Sequence, residues 1–187
     1  MWKVREAVLL RNSIRLQFVA FVFSFTPLTR WYAFRARLLK WAGVECNRSV
    51  RIVSSARVVA ETVHIGEDTF IGHQVLIAGA KDGRISIGDY VDIGPRVTVV
   101  SGTHQIDMQG PRAAGDGFGL DVEIGDGSWI GAASTILPGV KIGRKAVIGA
   151  GSVVVSDIPS ECIAVGNPCK PIKFWVPHEG RYRMVGE

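Results

Sequence analysis

Ile124, Ile130, Ile136, Ile142, Ile148 and Val154 lie six residues apart in one unbroken phase, and that period decides what the chain can fold into. Each unit pairs an aliphatic residue, in most cases followed by glycine, with a small residue four places on, as in IGDGSW, IGAAST and IGAGSV. Two earlier blocks share the pattern. IGEDTF and IGHQVL set Ile65, Ile71 and Ile77 in phase, with VAETVH extending it back to Val59, and IGDYVD and IGPRVT set Ile87, Ile93 and Val99. An α-helix turns roughly 600° over six residues and would scatter these side chains around its circumference. In a strand an even spacing keeps them on one face, so each unit makes one flat wall and the units stack around a continuous aliphatic column. The glycine of each unit is expected to let the chain turn the corner. No unit could fold alone, and a set of ordinary hairpins would not require equal unit lengths.

The period breaks twice. Ile77 to Ile87 is ten residues, so AGAKDG holds a short excursion; Val99 to Ile124 is twenty-five, so a long loop, 100–121, leaves the column as SGTHQIDMQGPRAAGDGFGLD. Loops that interrupt a rigid scaffold are where function concentrates. This one carries His104, whose side chain suits general-base work near neutral pH and which falls where the wall ends.

A formal charge of +5 favours anionic partners, yet no zinc-finger spacing, RNP-like aromatic motif or long basic run points to nucleic acid. Cys46, Cys162 and Cys169 are odd in number and lack ligand spacing, so they read as reduced thiols of a cytoplasmic protein. The apolar stretch from Ile14 to Leu28 is interrupted by Arg15, Gln17 and Pro27, which makes it too short to span a bilayer, and it offers no small-x-small cleavage site. After it, Trp31, Phe34, Leu38 and Trp41 recur at helical spacing up to Gly43, with Arg30, Arg35, Arg37 and Lys40 largely elsewhere around the helix. Such a segment is expected to cap the open end of a solenoid; residues 14–41 also suit peripheral contact with an anionic inner membrane face.

The run SWIGAASTILPGVKIGRKAVIGAGSVVVSDIP followed by VGNPCKPIK resembles the hexapeptide-repeat acyltransferases, especially the galactoside, maltose and polysaccharide O-acetyltransferases, and the likeness extends from Ile65 to Lys173. It implies an all-β fold: a left-handed parallel β-helix with three walls (44–173), an N-terminal helical segment (1–43) and a short C-terminal extension (174–187). It also implies a homotrimer with active sites between subunits, and acetyl-CoA as cosubstrate with no metal. Carried over by residue, the resemblance puts the catalytic base on His104, a tryptophan beside the site on Trp129, acetyl-CoA contacts on Ala132, Ala150 and Val155, and phosphate contacts on Lys170 and Lys173. Asp107 is a candidate to orient the imidazole or bind the acceptor. The wall around IGHQVLIAGA lacks the Asn and Asp with which the family holds a sugar, leaving His73 and Gln74 as substitutes.

The implied reaction is direct acetyl transfer to a sugar hydroxyl, in surface polysaccharide synthesis, with a small-molecule or glycan acceptor. An amine acceptor, as in sugar-nucleotide N-acetyltransferases, or serine stays open, as does a non-catalytic scaffold on the same coil. A γ-type carbonic anhydrase would need three zinc-binding histidines with two of them close in sequence, and His64, His73, His104 and His178 offer no such pair.

Overall fold

The structure, a computed structural model, describes residues 2–60 and 62–186, with the backbone alone described for 2–11. Two helices, α1 (Trp2–Phe23) and α2 (Tyr32–Trp41), precede a three-walled parallel β-solenoid of five coils. The first wall stacks Glu45–Cys46, Val63–Ile65, Ile85–Ile87, Val122–Ile124 and Lys141–Ile142. The second stacks Arg51–Ile52, Phe70–Ile71, Asp92–Ile93, Trp129–Ile130 and Val147–Ile148, and the third Arg57–Val59, Leu76–Ala78, Thr98–Val100, Thr135–Ile136 and Val153–Val154.

The aliphatic residues of the period register on one another through the coils: Ile65 with Ile87, Ile93 with Ile130 and Ile148, Val99 with Ile136 and Val154. All are buried, and burying an isoleucine contributes about 1.5–3 kcal/mol. One expectation fails at the start of the coil. Val58 is the inward residue, in register with Ile77, while Val59 is 53% exposed, because the strand of the first coil lies one residue out of the later phase.

The glycines do something other than expected. Those that follow the aliphatic residue do not carry the corner: a Cβ on Gly125 would come within 2.5 Å of the Arg144 backbone nitrogen, and one on Gly66 within 2.4 Å of the Gly88 carbonyl carbon. They are small so that successive coils can approach. The corner itself is turned two residues later, where left-handed backbone recurs every six residues within each block, at Asp68 and Gln74, at Tyr90 and Arg96, and at Gly127, Ala133, Gly139, Lys145 and Gly151. Most of these are not glycine, so the stacked coils hold ordinary residues in a conformation they disfavour. The small residue four places after the aliphatic one closes the corner: hydroxyls of Thr69, Ser128 and Ser134 donate to the carbonyls of Gly88, Gly143 and Gly149 in the next coil, at 2.7, 2.9 and 3.0 Å. Two substitutions separate these roles. Gly125→Ala is expected to destabilise by about 1–3 kcal/mol through overpacking, and Lys145→Gly to stabilise by about 0.5–1 kcal/mol through relief of left-handed strain; chemical denaturation checks both signs.

The helices close the N-terminal end of the solenoid, but α2 is rotated from the face its spacing suggested. Arg35, Ala36, Leu39 and Ala42 face the protein, whereas Trp31, Phe34 and Trp41 are exposed, at 60%, 42% and 49%. Arg35, assigned to the polar side, is fully buried. Its guanidinium donates to Ile52 O (2.7 Å), Thr26 Oγ1 (3.1 Å), Pro27 O (2.9 Å) and Leu28 O (3.3 Å), tying the α1–α2 connection to the first coil. Burial lowers its pKa. Beyond the last coil, Cys162–Gly166 continues the second wall; Cys169–Val176 and Arg181–Met184 then add two antiparallel strands, so that most of residues 174–187 is ordered β-hairpin.

Candidate active site

The long loop is an antiparallel arm. Gly102–Ile106 pairs with Ala114–Gly119, setting His104 opposite Gly117, and the arm leaves the third wall just after Val100. Its root is clamped on the short excursion after Ala78: the buried Ser101 hydroxyl accepts from the Ala80 amide and donates to the Gly83 carbonyl, each at 3.3 Å. Gly83 and Gly119 are so close there that a Cβ on Gly119 would lie 2.1 Å from Gly83 N. One break in the period thus props the other, and fixes the direction in which His104 is carried.

His104 is exposed, and among the described residues its imidazole has no hydrogen-bond partner. Asp107 does not orient it. Its Oδ1 accepts from the Gln109 and Gly110 amides, both at 2.9 Å, closing the turn at the arm's tip; these bonds hold its carboxyl below the usual carboxylate range. Gln105, Ile106, Asp107, Met108, Gln109, Gly115 and Asp116 line an open cavity of about 500 Å³ beside the tip.

The other predicted residues, Val155 excepted, gather toward the opposite edge of the third wall. At the corner between the second and third walls, Pro95, Ala132 and Ala150 stack through Ala133 N–Pro95 O (2.9 Å) and Gly151 N–Ala132 O (2.8 Å). This makes a column of small, partly or fully exposed residues. Trp129 stands beside it on the second wall, 58% exposed, in register with Asp92 below and Val147 above. His73 and Gln74 occupy the same corner lower down, the Arg96 amide donating to His73 O at 2.7 Å. His73 Nδ1 shares a hydrogen bond of 2.7 Å with Ser55 Oγ, which also accepts from the Gln74 amide at 3.0 Å. At the upper end, Val165 packs on Gly149 and pairs with Lys170, while Lys173 pairs with Ile163. Val155 is not at this corner; it follows the last strand of the third wall, on the edge from which the arm springs, and is 49% exposed.

The predicted residues therefore fall on the two edges of the third wall, separated by Thr98–Val100, about 10 Å of strand, plus the flanking corner residues. One edge offers the small-residue corner with Trp129, Lys170 and Lys173, the other the imidazole arm with Val155. Sequence reasoning missed Asp92, Ser55 and Ser101. Asp92 was accessible, since it precedes a buried isoleucine and so must point outward; the other two depend on contacts between coils. Among the described residues no group of three or more His, Cys, Asp or Glu lies close enough to hold a metal ion.

Residues 121–156 match the family described as bacterial transferase hexapeptide (six repeats). The galactoside O-acetyltransferase of Lactococcus lactis is 37% identical over 109 residues, 58% of this chain and 51% of that protein; that of Escherichia coli K12 is 38% identical over 111 residues, 59% and 53%. The chain thus spans about half the length of the curated relatives it matches. Among solved structures, a maltose O-acetyltransferase from Clostridium difficile 630 superposes with a TM-score of 0.77 at 34% identity, over 90% of this chain and 88% of that one. The hexapeptide-repeat acetyltransferase VCA0836 of Vibrio cholerae, complexed with acetyl coenzyme A, gives 0.72 at 26% identity, over 86% and 85%.

Proposed function

The chain belongs to the hexapeptide-repeat acetyltransferases, and from that premise we propose that it transfers an acetyl group from acetyl-CoA to a hydroxyl of a sugar. The observation that carries this reading is the placement of a small-residue corner and an unpartnered imidazole on the two edges of one wall. Pro95, Ala132 and Ala150 leave room for an extended thioester arm along the corner. Lys170 and Lys173 supply cations for a nucleotide's phosphates, and Trp129 gives a flat apolar flank.

His104 of a second copy completes the site. The arm springs from the edge of the third wall opposite its own chain's corner, and its apolar residues Ile106 and Met108 are 79% and 83% exposed, as suits a surface that another subunit covers. A closed ring of three coils, each lending its arm to the next, satisfies every half-site; the protein acts as a homotrimer.

In the reaction His104 accepts the proton of the acceptor hydroxyl as its oxygen attacks the thioester carbonyl. The new C–O bond forms, the C–S bond breaks, and the proton passes from the imidazole to the departing thiolate. The acceptor lies at the lower part of the corner, where His73, Gln74 and Asp92 offer polar groups of both hydrogen-bonding kinds. A sugar hydroxyl fits this set, and the reading extends to a surface polysaccharide as the source of that sugar. The test is release of free CoA thiol from acetyl-CoA across hydroxyl sugars, amino sugars and serine. Release that depends on hydroxyl sugars supports the reading; release only with amino sugars or serine moves the activity to N-acetylation or serine acetylation, and none with any acceptor leaves a scaffold.

A further inference from the structure

The face of the N-terminal helices turned away from the coil is apolar, aromatic and rimmed by cations. On α1, Leu16, Val19 and Phe23 are buried against the protein. Ile14, Phe18 and Phe21 follow at spacings of four and three on the opposite side of the helix, 61%, 52% and 62% exposed, and Phe25, two residues past its end, is 75% exposed. A helix that only capped a solenoid would bury one stripe and turn polar residues to water; α1 carries two apolar stripes. In the connection and on α2, Leu28, Trp31, Phe34 and Trp41 are exposed as well. The rings meet in pairs: Phe18 meets Trp41 edge-on at 6.0 Å, joining α1 to α2, Phe21 meets Phe25 at 5.1 Å, and Trp31 meets Phe34 at 6.2 Å.

Charge identifies what covers it. Residues 7–44 contain no acid, and the first 44 residues hold eight of the chain's 22 Lys and Arg against the single acid Glu6, so the net +5 originates wholly there. Arg30, Arg37 and Lys40 are exposed beside the aromatics, and Arg15 lies over the Trp41 ring at 4.8 Å while bonding its carbonyl at 3.2 Å. Among the described residues no helix is long and apolar enough to cross a membrane.

We propose that this face docks the protein on the surface of an anionic phospholipid bilayer, the aromatic rings entering the headgroup boundary and the cations pairing with lipid phosphates. Such docking is independent of the catalytic reading, and sedimentation rather than activity tests it. The full chain is sedimented with phosphatidylcholine vesicles and with vesicles containing one part in three of phosphatidylglycerol. Wild type should pellet with the anionic vesicles at least roughly tenfold more than with neutral ones, with a blue shift in tryptophan emission. The triple variant Phe21→Ser/Phe25→Ser/Phe34→Ser should lose that binding, and Arg30→Gln/Arg37→Gln/Lys40→Gln should weaken it by roughly fivefold for each cation removed. Every altered side chain is exposed, so melting temperature and elution volume should match wild type. Wild type remaining in the supernatant with anionic vesicles, or a triple serine variant that still binds, overturns the proposal. So does a wild-type assembly that the serine variant dissociates, which would give the face to a second copy of the chain.

Discussion

His104→Ala is expected to lower kcat by roughly two to four powers of ten, the usual worth of a positioned general base, while leaving the dissociation constant for acetyl-CoA close to that of wild type. The separation follows from where the imidazole sits. In the proposed ring it meets only the reacting end of the thioester, not the corner and lysines that hold the rest of the cosubstrate, and among the described residues it bonds to nothing whose loss would disturb the coil. His104→Gln should be as inactive, because an amide keeps the polarity and cannot take the proton. Steady-state kinetics with a thiol reagent, beside calorimetric binding of acetyl-CoA, reads both numbers; an equal loss of binding would make His104 a binding residue instead.

Arg35→Met is expected to cost about 2–4 kcal/mol, or a fall in Tm of roughly 5–15 °C. A methionine fills the space of the side chain but removes the donor from four oxygens, of which, among the described residues, only Leu28 O keeps another, the Ser54 amide; the carbonyl of Ile52 in the first coil is among those that lose theirs. Arg35→Lys should recover little, since one ammonium cannot reach acceptors spread over Thr26 to Leu28 on one side and Ile52 on the other. Two aromatic rings also lose their cation, at 5.9 Å for Phe23 and 5.1 Å for Tyr32. A Tm within a degree or two of wild type would mean that the helices contribute almost nothing to the solenoid's stability.

The period of six was enough to find the coil because each aliphatic residue fills the same interior position in every turn, and burial outweighs every other influence on where those side chains go. The same logic misled at α2. Aromatic spacing there marks a helix face, but which face packs was settled by Arg35 reaching four oxygens, and those belong to residues that come together only in the folded chain. The glycine reading failed for a related reason: the close approach of Gly125 to Arg144 is a contact between coils, invisible along one unit. In the site, residue types were legible and their grouping was not. His104 and Ala150 belong to one family pattern in the sequence, yet the wall sets them on opposite edges, and Val155 falls with the arm rather than with the alanines. Asp107 looked like a partner for His104 three residues away; the turn at the arm's tip takes its carboxylate instead.

Everything proposed for the site requires a CoA thioester to lie along the corner built by Pro95, Ala132 and Ala150. Calorimetric titration of acetyl-CoA into wild type and Ala150→Trp checks this, because Ala150 is exposed and a tryptophan there can fill the corner without entering the core. Wild type should bind saturably, and the variant should lose roughly tenfold or more in affinity at an unchanged Tm. Absence of binding by wild type, or equal binding by both proteins, would contradict a thioester site at this corner.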